Sequence, residues 1–377
     1  MAHQQNLSVV VVGAGIIGAS IAYHLSRRSN VHVTVLERDM PAQGASGHSF
    51  AWLNSFGKNP ETYHHLNRRS IEIWDRFARR LNADIGLHWG GELRWESAEA
   101  RAAALRQRVE QLQTWGYPVR FISAEELREF EPGLSFDEVI AASYSEIDGH
   151  VQPEKVIAAC LQRVCERGGI VQTETPVTRL CRGSNGEVEA VETPKGEILC
   201  DVVVLACGVD TTRLAAAVGV HIPQEESPGV GIQAIPKQRV LHTVSVLHLP
   251  PIDENRPEIH LRQLSDNTLQ IGEGTQESLA RDDSQQHAND LLNRAKHYLP
   301  DLAGAKAIPT PVGYRPMPVD GLPIIGFPEA VPNLYIAIMH SGVTLAPLVG
   351  EFATLEIADG ARVNVLDWYR PARFQRW

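Results

Sequence analysis

Near its start the chain reads Val9-Val-Val-Val-Gly-Ala-Gly-Ile-Ile-Gly18, continues into Ala19-Ser-Ile-Ala-Tyr-His-Leu25, and reaches Val31-His-Val-Thr-Val-Leu-Glu37. Val9 to Val12 is a short β-branched apolar run, as expected of a strand buried on both faces. Gly13 permits a tight turn, Gly15 lets the backbone approach a pyrophosphate, and Gly18 lets the next helix pack close to the strand. That helix points its first N–H groups and partial positive charge at the phosphates. Glu37 closes the second strand where an acid would accept hydrogen bonds from a ribose diol. A Gly-x-Gly-x-x-Gly alone describes many turns. With strand, helix, second strand and terminal acid in sequence, it predicts a dinucleotide-binding βαβ unit.

A hydrophobic fraction of 43% over 377 residues supports a large core and more than one domain. The formal net charge of −10 leaves no basic footprint for nucleic acid. Met1 to Leu7 lacks the charged and apolar regions of a signal peptide, and no apolar stretch approaches the ~20 residues that span a bilayer. A cytoplasmic location is the expectation. The five cysteines, Cys160, Cys165, Cys181, Cys200 and Cys207, contain no Cys-x-x-Cys pair, so reduced and mostly buried thiols are expected, with no metal site. His64 and His65 are adjacent on a helix and face different ways, which also argues against a metal.

Further along, Thr62 to Leu81 has helical periodicity, Ala98 to Trp115 is a charged helix, and Ser123-Ala-Glu-Glu126 has the form of a capping box. Asp148-Gly-His-Val-Gln-Pro153 opens a helix running to Arg167. Strands are expected at 170–173, 177–181 and 188–193. Val202-Val-Val-Leu-Ala-Cys-Gly208 reads as a second buried parallel strand, with a helix over 210–218. Short β runs fill 229–274, a helix covers 283–299, and the C-terminal stretch reads strand, loop, helix. Buried parallel strands at the beginning, middle and end, separated by β-rich inserts, predict two interleaved domains.

The chain resembles the D-amino acid oxidase superfamily of FAD enzymes, and within it the glycine oxidase and sarcosine oxidase branch. The resemblance spans nearly the whole length. It is carried by the N-terminal fingerprint with Glu37, Gly44-Ala-Ser-Gly47, Asp148-Gly-His-Val-x-Pro153, Val203-Val-Leu-Ala-Cys-Gly208, Arg315-Pro-x-x-x-Asp-Gly-Leu-Pro-Ile-Ile-Gly326 and His340-Ser-Gly-Val-Thr-Leu-Ala-Pro347. It implies an α/β (α+β) fold: a Rossmann-type FAD-binding domain over 1–85, 148–222 and 306–377, interleaved with a mostly antiparallel-sheet substrate domain over 86–147 and 223–305.

The resemblance also implies site residues. Gly13, Gly15, Ile17, Gly18 and Glu37 would hold the ADP half of FAD, with Arg38 beside the ribose and adenine. Ala45, Ser46 and Gly47 would lie along the pyrophosphate and flavin, and Val177 at the adenine. Ala206 and Gly208 would pass close to the cofactor, and Gly342, Val343 and Thr344 would open a helix facing the flavin pyrimidine. His48 would either cover the isoalloxazine edge or lie at the surface. Relatives with covalently bound FAD use a cysteine near the C-terminal strand. Residues 312–326 contain none, so non-covalent FAD is expected; Cys207 is read as packing.

Arg315 is the expected clamp on the substrate carboxylate, since a planar guanidinium matches that group with paired donors. The alternative is a structural ion pair. His340 would face the substrate or cap a helix. His260 and Arg262 alternate on a strand and so share one face, directed at the pocket or at solvent. The implied reaction is hydride transfer from a carbon next to nitrogen to flavin N5. The resulting imine hydrolyses to an oxo acid plus an amine or ammonia. The substrate would be a small amino acid or N-alkyl amino acid, of the glycine, D-amino acid or sarcosine kind. The electron acceptor would be dioxygen or a partner carrier. Three organisations are compatible: a homo-oligomeric enzyme, a flavoprotein subunit of a hetero-oligomeric amine- or opine-type dehydrogenase, and a protein using FAD as a structural or sensing ligand.

Overall fold

The computed structural model describes residues 6–253, 256–274 and 279–374. A six-stranded sheet carries the fingerprint, in the order Ile324–Gly326, Leu334–Ile338, Val202–Leu205, Leu7–Val12, Val31–Leu36, Ile170–Gln172. Its neighbours run parallel except for the antiparallel edge strand Ile324–Gly326. Val9 to Val12 are all buried, as their apolar run predicts. The helix Ile16–Leu25 is buried along its whole length, beneath the helices Pro153–Glu166 and Gly342–Ile357. Close approach of the first and last of these depends on Gly350: a Cβ there would lie 2.5 Å from Ser20 Oγ, which donates to the Ala346 carbonyl at 2.7 Å.

The second layer is an eight-stranded sheet. Its order is Ala307–Pro309, Gly231–Ala234, Leu269–Glu273, Ile259–Gln263, Val246–Leu249, Glu92–Glu96, Ala141–Ser145, Val119–Phe121. All pairs are antiparallel except Val246–Leu249 with Glu92–Glu96. Ala307–Pro309, beyond the boundary expected near residue 305, forms its edge. A separate ribbon pairs Gln224–Gly229 with Gly313–Pro318 and hangs over the cavity between the two sheets.

Several local expectations are corrected. The helix expected over 62–81 is two helices, Glu61–Ile71 and Trp74–Leu81; side chains on either side of the break, Ser70 and Trp74, both donate to the Thr344 carbonyl. The strand expected at 177–181 is Arg179–Arg182, because Val177 is drawn to the cavity wall. The helix expected over 210–218 is Thr211–Ala216, entered through a 3-10 turn at Gly208–Asp210. The capping box at Ser123 and Glu126 forms as expected. All five cysteines are free. Only Cys160 and Cys200 are buried, however: Cys165 is exposed, and Cys181 and Cys207 are intermediate.

His24 makes the core acid-sensitive. Its Nδ1–H donates to the Ser20 carbonyl at 2.8 Å, and burial pushes its pKa down to about 3. Unfolded, the imidazole titrates near ~6.5. In the window between these values the unfolded chain binds a proton that the folded chain refuses, so stability falls as pH drops through it. The expected slope from His24 is about 1.4 kcal/mol per pH unit. Urea midpoints measured from roughly pH 6 to pH 4 should show that much less acid dependence in His24→Gln than in the parent. Parallel curves would refute the assignment.

Candidate active site

Where the first strand gives way to the first helix, the chain has to turn sharply between two layers. Gly13 has φ +102°, and a Cβ there would lie 2.7 Å from the Ala206 carbonyl oxygen. A Cβ on Gly18 would lie 2.0 Å from the Gly13 carbonyl oxygen. Both glycines are therefore demanded by the protein's own packing. Gly15 is different: its Cβ position meets only Ser46 Oγ, at 3.2 Å. Gly15 lines the cavity, so a side chain there would project into it past Ser46.

The neighbouring groups complete an anion cradle. Ser46 Oγ accepts from Ile16 N at 3.0 Å, placing a hydroxyl at the helix N-terminus. Glu37 accepts from Ala14 N at 2.7 Å and from Asp39 N at 3.1 Å, which fixes its carboxylate across the turn. Arg38 is exposed and pairs with Asp210 at 2.6 Å and Asp39 at 2.9 Å, bridging the cavity mouth. His48 is exposed beside the cavity, its Nδ1 3.1 Å from the Gly44 carbonyl.

One cavity of about 790 Å³ brings these residues together. Its walls include Gly13, Gly15, Ile17, Glu37, Arg38, Ala45 to His48, Val177, Ala206, Gly208, His260, Arg315, His340 and Gly342 to Thr344. Gly18 lies off the wall, beneath it. Cys207 is on the wall, its thiol pushed up to about 11 by burial and 3.4 Å from Thr211 Oγ1. At neutral pH it is therefore the neutral thiol.

The C-terminal helix starts at Gly342, after Ser341, whose Oγ accepts from the Tyr63 hydroxyl at 2.8 Å. Thr344 Oγ1 donates to the Trp52 carbonyl at 3.1 Å, so that side chain locks the helix start onto the loop after Gly47. No acid sits in the first turn, which leaves the dipole free to favour negative charge in the cavity.

Arg315 is half-buried. Its Nη1 donates to the Pro228 carbonyl at 2.6 Å, and its guanidinium rests on Gly229, where a Cβ would lie 2.5 Å from Nη2. His260 sits likewise on Gly272, whose Cβ position is 2.2 Å from Nε2. The two bare glycines give both side chains their floor. His260 meets Phe50 edge-on at 4.4 Å between ring centroids. Burial, helped by His248, Arg94 and Arg315, pushes its pKa down to about 3. Burial, then Lys58 and Arg315, holds His340 well below the usual imidazole range. His340 Nδ1 is buried and finds no hydrogen-bond partner among the described residues.

Arg262 does not line the cavity. It is 1% exposed, donates to the Val151 carbonyl and to Gln270 at 2.7 Å, and ties the two layers together. His64 is buried and bonded to Ser55, His65 is exposed, and no cluster fit for a metal occurs among the described residues. Reasoning from sequence missed Arg94, His248, Glu258 and Lys58 on the wall. The signal for Glu258 was present: it shares strand parity with His260. His248 and Arg94 enter only through cross-strand register.

The donor set fits FAD on two observations: the cavity space at Gly15, and the orphaned His340 Nδ1 on a residue of the same cavity's wall. Comparison with known proteins agrees. Residues 8–355 match the model of the DAO family, described as FAD dependent oxidoreductase. Glycine oxidase of Geobacillus kaustophilus (strain HTA426) is 28% identical over 359 residues, 93% of this chain and 92% of that protein. A subunit of the opine oxidase of Agrobacterium tumefaciens (strain Ach5) is 26% identical over 381 residues, 98% of each chain. Among solved structures, L-proline dehydrogenase from P. horikoshii has a TM-score of 0.85 at 25% identity, covering 99% of this chain and 98% of its own. Glycine oxidase from Geobacillus kaustophilus has a TM-score of 0.85 at 26% identity, covering 97% and 99%.

Proposed function

The chain belongs to the DAO family of FAD-dependent oxidoreductases, and from that premise we propose that it oxidises the carbon–nitrogen bond of an amino acid or N-alkyl amino acid whose carboxylate is held by Arg315. Whatever the substrate, this is an FAD-dependent oxidoreductase of the amino acid and amine oxidase type. The single observation that carries the finer reading is the Arg315 guanidinium, laid on Gly229 and anchored to Pro228, on the wall of the cavity that the fingerprint opens into.

FAD, when bound, accepts the two electrons that the carbon–nitrogen bond gives up. The rest is the work of this chain's residues. Gly15, Ser46 and the first helix would hold the pyrophosphate, and Glu37 the ribose. Gly342 to Thr344 would direct the start of the C-terminal helix at the flavin ring, where a positive dipole end favours electron-rich states. Arg315 orients the substrate, and orientation is a large share of catalysis in a reaction that needs no strong base. His260 and His340 support that view, because imidazoles held neutral are weak proton acceptors and serve better as hydrogen-bond partners. The product imine hydrolyses to an oxo acid with an amine or ammonia.

Anaerobic mixing of the holoenzyme with a panel of amino acids should bleach the oxidised flavin band with at least one of them. A band that survives every amino and N-alkyl amino acid would end this reading. The flavin should be non-covalent, so acid precipitation should leave a colourless pellet and a yellow supernatant; colour in the pellet would contradict it. The division into a cofactor domain over 1–85, 148–222 and 306–377 and a substrate domain over the remainder belongs to the same proposal, with the strand Ala307–Pro309 crossing over to the eight-stranded sheet.

Likeness to one subunit of an opine oxidase, over nearly all of both chains, favours a second reading, a flavoprotein working within a hetero-oligomeric complex. The purified chain decides between them. Peroxide formed from the bleaching substrate in air supports a self-sufficient oxidase; reduction without peroxide supports a component of a complex or a dehydrogenase.

A further inference from the structure

The helix Gly342–Ile357 begins without the cap that its sequence offers. Ser341 is its N-cap residue, and a serine there ordinarily turns its oxygen back to accept from N–H groups of the first turn. Here it makes no such bond. Its Oγ is turned instead to Tyr63, whose hydroxyl donates to it at 2.8 Å.

Tyr63 fixes the direction of that bond. It stands in the helix Glu61–Ile71, 4% exposed, and Asn67 Nδ2 donates to its carbonyl from the next turn at 2.9 Å. Burial holds the phenol above its ordinary range, so it keeps its proton. Ser341 Oγ is the acceptor that this proton finds among the described residues.

A hydroxyl has one proton to give and two lone pairs. Ser341 Oγ accepts from Tyr63, and its own proton goes to no acceptor among the described residues. The residue is 7% exposed and lines the cavity beside the fingerprint: a Cβ on the next residue, Gly342, would lie 3.4 Å from Ile17. A buried donor left without an acceptor is costly unless a ligand supplies one. His340, one residue earlier on the same wall, adds an independent observation, since its buried Nδ1 also has no hydrogen-bond partner among the described residues.

We propose that Ser341 donates its hydroxyl proton to the flavin ring and holds the reduced, electron-rich ring more tightly than the oxidised one, with Tyr63 as the positioning residue that aims it. The inference rests on the proposed placement of that ring before Gly342 to Thr344. Helix dipole and hydroxyl then act on the same charge. Without the phenol, Ser341 is free to turn its oxygen back to the first turn and its proton away from the cavity.

Dye-equilibrated reduction of the holoenzyme, with no amino acid present, measures the balance between the two redox states. In Ser341→Ala the preference for the reduced ring should fall roughly 10-fold, a midpoint potential about 30 mV lower for a two-electron couple. Tyr63→Phe should lower it by a similar amount, and the double variant no further than Ser341→Ala alone. Ser341→Ala should melt close to the parent, because no cap is lost; if Tyr63→Phe fails to fold, Ser341→Ala decides alone. An unmoved potential in Ser341→Ala would overturn the proposal, even where FAD binding is weaker in both redox states. A parent-like potential in folded Tyr63→Phe, or additive losses in the double variant, would overturn the positioning role. An amino acid panel that leaves the flavin unbleached would sink the proposed function and not this result, in which no substrate takes part.

Discussion

Arg315→Ala is expected to keep its yellow colour and flavin spectrum while KM for a carboxylate substrate rises roughly 100-fold. The size follows from a charge-assisted, two-pronged contact replaced by water. The selectivity follows from position. Arg315 stands on the ribbon Gly313–Pro318, a different element from those carrying Gly15 and Ser46, and its anchors are the Pro228 carbonyl and the bare floor of Gly229. Removing a half-buried side chain from a cavity wall opens no void in either core. Arg315→Lys should recover only part of the loss, because a point charge cannot pair both carboxylate oxygens from that site. A KM within twofold of the parent would show that the arginine merely braces the ribbon. A second route to the same outcome is Gly229→Val, which lifts the guanidinium from its seat without touching its charge.

The second large effect concerns the cofactor. Gly15→Leu should yield a folded, colourless protein, with far-ultraviolet circular dichroism of the parent and FAD affinity down by 100-fold or more, about 3 kcal/mol. Gly13 and Gly18 cannot test this point, since a Cβ at either collides with backbone and would damage the fold itself. At Gly15 the only neighbour is a serine hydroxyl. Its substitution thus separates binding from folding. A variant purified with a full flavin complement would mean that the pyrophosphate lies elsewhere.

The wall of the cavity built around the βαβ turn was legible in the sequence because its signals are local. Gly13, Gly15, Gly18 and Glu37 sit within one βαβ unit, where turn, helix and strand are read from neighbouring residues, and Ser46 follows in the next loop. Capping at Ser123 and the helix after Pro153 were local in the same sense. The wall formed by the eight-stranded sheet was only half legible. His260 and Arg262 share a face by strand parity, as expected, but parity says nothing of what covers that face. Val151 and Gln270 take Arg262 into the protein, while the glycine at 272 leaves His260 in the cavity. His248 and Arg94 come from strands far apart in sequence, and their juxtaposition is a matter of register, which no local pattern encodes. The break at Glu72 and Ile73 was hidden for a related reason: the carbonyl that both flanking side chains seek belongs to Thr344, some 270 residues away.

That long reach has a consequence for how the protein is made. The first helix is covered by one that begins at Gly342, and the floor under the ring-binding end is laid by residues past 310. The stretch through Gly342 must therefore leave the ribosome before the proposed berth for the cofactor can close. In the proposed site, a chain lacking the helix from Gly342 onward would keep the fingerprint but lose the wall opposite it.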